Sequence, residues 1–354
     1  MDLSKIPVVL AAEPKYRYQQ INQALWQDFI SSWSEVSNLP LALRKKLEEV
    51  CPLEIKADLV SAPLGAHSEK ALIHLADGET IETVLIKQKG APASSGQRSL
   101  RHTICLSTQV GCPLACTFCA TGTTGFSRNL TAEEIIEQAV FWARHLRTSG
   151  GKLDNLVFMG MGEPFLNYAE FIKAAKFLNN PETFNLGARR LSVSTIGITE
   201  GIKRLAGEQL QFNLAISLHA PSDILRKNLM PAVSKYSLRE IFKAANHYIA
   251  KTGRRVMFEY LMIKNVNDSD ADAEALALIM KKPLYFVNLI PYNSTGRFRP
   301  SDRERIKSFQ EILNNHGVSA TVRLSFGSDI EAACGQLRAG RSVKVINDKK
   351  AVKK

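Results

Sequence analysis

Acidic residues are in short supply. The 354-residue chain carries 34 Asp and Glu against 46 Lys and Arg, a formal charge of +12 at pH 7, and that surplus attracts polyanions, which makes nucleic acid the leading partner class. A long apolar run near the N-terminus is missing too. Ile6 to Ala12 is the single short one, broken by Pro7 and followed by Glu13, and it fits neither a secretory signal nor a spanning helix. A cytoplasmic protein without a membrane partner is expected. Cysteine is scarce, six residues in all, and in a reducing compartment the tight group Cys112, Cys116 and Cys119 reads as metal-binding or catalytic before it reads as a disulfide frame. Hydrophobic residues at 45% and charged residues at 23% exclude long disorder and collagen-like repeats. The length suits two domains, or one large barrel with an appendage.

The N-terminal part, residues 1–52, is patterned for helices. Tyr18, Ile21, Leu25, Trp26 and Phe29 recur on one face, and Ser37, Asn38 and Pro40 open a second helix through Leu43, Leu47 and Val50. Residues 53–99 turn β-rich: ALIHLADGETIETVLIK reads as a hairpin about Asp77-Gly78, followed by the Gly/Ser/Pro-rich linker GAPASSGQRS. From 100 to 325 short apolar strands (TICLSTQV, NLVFMGM, RLSVSTI, FNLAISLH, RVMFEYLM, LYFVNLIPY, SATVRLS) alternate with amphipathic helices (132–147, 168–178, 238–251, 270–282, 302–316). Strand–helix repetition predicts an α/β fold of parallel βαβ units, a complete or partial barrel or a doubly wound sheet, with reactive groups at the C-terminal strand ends. Residues 326–354 form a last segment ending in a basic tail.

The thiols of VGCPLACTFCATG follow the first barrel strand at Cys-x3-Cys-x2-Cys spacing. Three thiolates on one loop wrap three corners of a cubane cluster and leave one iron open, which suggests chemistry rather than electron carriage. A structural zinc site asks for four Cys/His ligands, and His102 is the only histidine nearby. Gly160, Gly162 and Glu163 end the second strand; Ser194 ends the third, Ser217, Leu218 and His219 the fourth, and Asn293 the sixth. Each of these reads singly as a capped strand end, but their common location makes a ligand wall.

CPLACTFC, with an aromatic residue before the last Cys, resembles the signature of the radical S-adenosylmethionine (SAM) superfamily. GFSRNLT, VFMGMGEPFLNY, RLSVSTIGI, LAISLHAP, VNLIPYN and DIEAACGQL follow in order, and together they resemble the RlmN/Cfr group of RNA adenine methyltransferases. The resemblance implies a partial (βα)6-type radical SAM barrel with a small helical accessory domain that grips RNA. It implies a 4Fe-4S cluster on Cys112, Cys116 and Cys119, and SAM held by Gly162, Glu163, Ser194, Ser217, Leu218, His219 and Asn293. Cys334 and Cys105 match the methyl-carrying and resolving cysteines of that group, and Glu82 its proton acceptor. The stretch KQKGAPASSGQRSLRH after Glu82 is longer than the family's usual link.

The implied target is C2 of adenine 2503 in 23S rRNA, with C2 of adenine 37 in tRNA as a second substrate; C8 methylation of the same rRNA adenine and a radical SAM reaction on a small molecule are the alternatives. Adenine C2 is electron-poor, so direct polar transfer fails. The implied route loads a methyl group on Cys334, removes one hydrogen from it with a 5'-deoxyadenosyl radical, adds the methylene to the base, and frees the product when Cys105 attacks the Cys334 sulfur, forming a transient disulfide. Two SAM are used per methyl. A flavodoxin-type electron donor and a monomeric state are also implied, and the base must be unstacked before it is reached.

Overall fold

The computed structural model describes residues 1, 3–61, 67–92, 98–233, 235–323, 327 and 330–338; the centre of the linker (93–97) and the basic tail (339–354) lie outside the described residues. The chain opens with α1 (Ile6–Val9), α2 (Tyr16–Trp26) and α3 (Leu41–Val50), plus a 3-10 turn, Trp33–Glu35, closed by reciprocal bonds between Ser32 and Glu35. Their apolar stripes meet in a core of their own around Leu10, Ile21, Leu25, Trp33 and Leu47. Trp33 is fully buried, and its indole N–H donates to the Cys51 carbonyl at 2.8 Å, which satisfies that buried donor. Trp26 and Phe29 carry this module onto the main body, edge-on to Phe177 at 4.9 Å and against Phe184 at 5.0 Å.

Four antiparallel strands follow: β1 (Ala57–Ser61), β2 (Ser68–His74), β3 (Thr80–Pro92) and β4 (Arg98–Cys105). The hairpin about Asp77-Gly78 is present as β2 and β3, and β1 adds a strand on its outer edge. The long link after Glu82 is absorbed by extending β3 and β4. Val84 sits opposite Cys105, with the register shift deferred to Lys89–Pro92, so Glu82 stays two residues along β3 from the partner of Cys105. TICLSTQV reads as one strand but is split. β4 ends at Cys105, and β5 (Gln109–Gly111) pairs instead with β6 (Phe126–Asn129) in a separate ribbon. The split turns on Gly111, whose φ of +73° and absent Cβ, which would lie 2.0 Å from the Gly125 oxygen, let the ribbon close.

Beyond β4 the sheet is parallel, through β7 (Asn155–Phe158), β8 (Leu191–Thr195), β9 (Asn213–Ser217), β10 (Val256–Met262), β11 (Tyr285–Pro291) and β12 (Ala320–Val322), in chain order. The short α4 (Ala120–Thr123) follows the thiol loop. Between strands lie α5 (Ala132–Thr148), α6 (Tyr168–Asn179), α7 (Thr199–Gly207), α8 (Asp223–Leu229) with α9 (Leu238–Thr252), α10 (Asp270–Ile279) and α11 (Arg303–Asn315). This is a partial barrel of six strand–helix repeats and a closing seventh strand. The helices begin where polar caps allow: Thr131/Glu134, Ser237/Glu240 and Ser269/Asp272 each form a capping box, and α9 stops at left-handed Gly253. The barrel stays open because β3 occupies the outer edge of β4, and an edge already paired has no free backbone groups for β12. Among the described residues no helix is long and apolar enough to cross a membrane.

Because the helical module owns a separate core, Trp33→Ala is expected to cost about 3–5 kcal/mol and to act locally. Amide exchange should lose protection in residues 1–53 while β7 to β11 keep theirs; equal loss in both regions would contradict the division.

Candidate active site

The C-terminal ends of the parallel strands surround one cavity. Cys112, Cys116 and Cys119 line it together with Cys105 and Cys334, and all are free thiols. The thiol loop is fixed from several sides. Thr117 N–H donates to Leu229 O at 2.9 Å, Thr295 Oγ1 to Phe118 O at 3.2 Å, and Phe118 meets His219 edge-on at 5.0 Å. Burial pushes the Cys112 thiol up to about 12 and the Cys116 thiol well above its ordinary value, and the nearby Cys119 adds to both.

Among the described residues no three His, Cys, Asp or Glu side chains converge as ligands of a single ion. A cubane cluster asks for something different, since each thiolate takes its own iron corner. Three soft sulfur donors on one anchored loop, opening into a shared cavity with no fourth protein thiol on that loop, fit a 4Fe-4S cluster with one iron left open. His102 plays no part: its Nδ1 is 2.9 Å from the Lys152 carbonyl oxygen, and it is absent from the cavity wall.

Gly160, Gly162, Glu163, Ser194, Ser217 and His219 all reach the wall. Gly162 has φ +96°, and a Cβ there would lie 2.5 Å from Gln109 Cβ, so only glycine lets the chain turn toward the thiols. Glu163 is buried at 2% exposure; its Oε1 accepts Phe165 N–H at 3.0 Å and its Oε2 accepts Ile196 N–H at 2.8 Å. Burial nonetheless raises this carboxyl to about 7, with the backbone donors opposing it. Ser194 and Ser217 hydroxyls are 3.4 Å apart. His219 adopts a left-handed φ of 59°, an uncommon choice for a side chain with Cβ; its Nδ1 accepts Leu261 N–H at 3.1 Å. Burial drives its pKa down to about 3, so the ring is neutral with its proton on Nε2. Leu218 and Asn293 stand behind the wall: Leu218 is fully buried, and Asn293 Nδ2 donates to the Cys334 carbonyl at 3.3 Å.

Cys105 is buried at the end of β4, while Cys334 is exposed at the cavity's mouth. Burial, then the neighbouring Cys334, push the Cys105 thiol up to about 12. The segment carrying Cys334 is held on both flanks. Ala120 N–H, directly after Cys119, donates to Gly335 O at 2.7 Å, and Thr121 Oγ1 donates to Leu337 O at 2.6 Å. On the other flank Glu82 Oε2 accepts Arg338 N–H at 2.7 Å, while Lys70 Nζ donates to Glu331 O at 3.3 Å. Lys70 and Glu82 themselves form an ion pair of 3.0 Å, both almost wholly buried. Glu82 is thus one layer behind the cavity, beneath the Cys334 segment.

Three charged residues escaped sequence reasoning: Lys70, Glu259 and Arg323. Glu259 and Arg323 line the cavity. The available signal was a lone charge inside an apolar strand, as in RVMFEYLM, where burial demands a partner.

Residues 106–277 match the Radical SAM superfamily. The chain is 42% identical to the "Probable dual-specificity RNA methyltransferase RlmN" of Chloroflexus aurantiacus, covering 97% of this chain and 92% of that protein. It is 43% identical to the "Ribosomal RNA large subunit methyltransferase N" of Nitrosopumilus maritimus, covering 92% of each. A radical SAM methyltransferase of known structure from Sphaerobacter thermophilus superposes with a TM-score of 0.85 at 43% identity, covering 96% of this chain and 98% of that one.

Lys70→Met strands the Glu82 carboxylate in the interior. It is expected to cost about 3–5 kcal/mol in urea unfolding and to speed amide exchange in residues 330–338, whereas Lys70→Met with Glu82→Leu recovers most of the stability. A single variant as stable as the parent would remove the pair from the account. A second prediction concerns pH. Neutral His219 is protonated in the unfolded chain below its ordinary value near 6.5, so the unfolded state binds more protons between there and about 3. Stability should therefore fall with acidification across that window by up to about 1.4 kcal/mol per pH unit beyond the fall seen in His219→Asn. Parallel pH curves for the two proteins would contradict the neutral ring.

Proposed function

The chain belongs to the RlmN family of radical SAM methyltransferases, and on that premise we propose that it methylates C2 of an adenine in RNA, adenine 2503 of 23S rRNA. The observation carrying this reading is that Cys105, Cys334 and the three-thiol loop line one cavity. A radical SAM enzyme acting on a small molecule has no need for the first two. The relatives' names support rRNA as substrate, and "dual-specificity" supports a second one, for which we assign adenine 37 of tRNA. The charge of +12 favours both polyanions.

Cys112, Cys116 and Cys119 would hold the cluster; Gly162, Glu163, Ser194, Ser217 and His219 on the wall, with Leu218 and Asn293 behind it, would hold SAM. Held by those residues, the cluster and SAM would supply one-electron cleavage chemistry and the hydrogen abstraction that follows, with two SAM used per methyl and an electron donor of flavodoxin type. The protein's own groups do the rest. Cys334, exposed at the mouth, takes a methyl group on Sγ by displacement from the sulfonium of one SAM, which leaves as S-adenosylhomocysteine, and presents it to a second SAM and to the base. Burial, and after it the neighbouring Cys334, raise the Cys105 pKa, so Cys105 rests as a thiol. Alkylation of Cys334 removes one of those causes. Cys105 Sγ, deprotonated, then attacks Cys334 Sγ; the S–S bond forms as the S–C bond to the base breaks, the freed methylene carbon keeps the bonding pair and takes up a proton to become the methyl group, C2 loses its proton, and the single electron left over from the radical adduct would return to the oxidised cluster. Glu82, a carboxyl whose burial raises its proton affinity, accepts the proton lost during release through the Arg338 end of the segment.

The reading is tested by anaerobic turnover on an rRNA fragment, with nucleosides compared by mass against 2-methyl- and 8-methyladenosine. Only 2-methyladenosine is expected; 8-methyladenosine would move the reaction to C8, and neither would refute it. Cys105→Ala should accumulate a protein–RNA crosslink, and free release of methylated RNA by this variant would overturn its role.

A further inference from the structure

Glu259 is the odd residue of β10. It lies beside Ser217 of β9 and Asn288 of β11 in register, is 4% exposed, and lines the cavity. Its two oxygens differ. Oε1 accepts Asn288 Nδ2 at 3.0 Å, and Thr321 Oγ1 donates to Asn288 Oδ1 at 3.0 Å, which fixes the amide so that its N–H faces the carboxylate. Oε2 has no hydrogen-bond partner among the described residues although it is buried. Its nearest cation, Arg323 Nη1, stands 3.9 Å away, beyond hydrogen-bond reach. Among the described residues the Arg323 side chain reaches the Met159 sulfur, at 3.9 Å, as its one hydrogen-bond acceptor, and it interacts electrostatically with Cys334 and Cys105. A buried carboxylate oxygen without a donor is costly, and here it opens into a cavity beside a guanidinium with unused N–H groups.

We propose that Glu259 and Arg323 read the target base, Glu259 Oε2 accepting the exocyclic N6–H of adenine and Arg323 donating to the adjacent ring nitrogen N1. The pair offers an acceptor next to a donor, complementary to the N6–H/N1 edge. Arg323, which neighbours the two carrier cysteines, carries the assignment to the base rather than to SAM, although Glu259 itself lies beside Ser217 on the SAM side. Donation to N1 places C2, the next ring atom, toward Cys334, and withdraws electron density from the carbon that receives the methylene. The inference rests on the RNA adenine reading above and adds the recognition element to it.

The test pairs Glu259→Gln with RNA hairpins carrying adenine or purine, which lacks the N6 amine, at the target position. For the parent enzyme kcat/KM should drop about tenfold or more on removing the amine. For Glu259→Gln the two hairpins should agree within about threefold, with SAM affinity by equilibrium dialysis unchanged within twofold. Binding of the hairpins measured by anisotropy without SAM should show the same loss of discrimination, and Arg323→Met should lose discrimination between adenine and 1-deazaadenine. Glu259→Gln that discriminates as the parent does would overturn the proposal, as would weakened SAM binding with discrimination intact, which assigns the pair to SAM. Absence of methylation of the adenine hairpin by the parent enzyme would refute the RNA adenine reading itself, a different result from either.

Discussion

A short run of backbone, Ile330 to Arg338, is tied to the thiol loop on one side and to a buried ion pair on the other, and the chemistry depends on that double attachment. Gly335 O receives Ala120 N–H, and Arg338 N–H reaches Glu82. Cys334 therefore sits on a segment whose position is set by the same loop that carries Cys119. Were the barrel closed, the segment would have no seat. β3 keeps it open by pairing with β4, and the same hairpin supplies Lys70 and Glu82 beneath the segment. A strand arrangement that looks like a mere sheet extension is thus the foundation of the cavity's floor.

Inside the cavity low solvent access pushes several ionisable groups toward neutrality. Cys105, Cys112 and Cys116 are driven up and His219 down, all with burial as the largest cause. Such a site suits neutral intermediates and disfavours polar charge transfer. Arg323 and the Lys70–Glu82 pair are the charges kept close, and each faces a named partner.

Much of this was legible in the residues. The Cys-x3-Cys-x2-Cys loop and the alternation of apolar strands with capped helices announce the cluster loop and the parallel barrel, because spacing and 3.6-residue periodicity are local properties. Pairing is not local. β1 at Ala57–Ser61 carries no stronger signal than a loop, and it is a strand because β2 offers it an open edge. TICLSTQV has uniform β character, yet it divides where Gly111 turns and Gln109 finds Asn129. Lys70 and Glu82 look like ordinary solvated strand charges until the C-terminal segment, far away in sequence, covers them. Glu259 was the exception that hydropathy alone exposes, since a carboxylate within RVMFEYLM has no solvent face in a parallel sheet.

Peptide mapping of the thiols across a single turnover tests the central claim that the two remote cysteines form one methyl-carrying unit over the cluster loop. Protein incubated with SAM before RNA should carry one additional methyl mass on the Cys334 peptide alone; after a stoichiometric pulse of RNA that mass should vanish and a Cys105–Cys334 disulfide peptide appear. A methyl group on any other residue, or product formed with both thiols unmodified and unpaired throughout, would contradict the account.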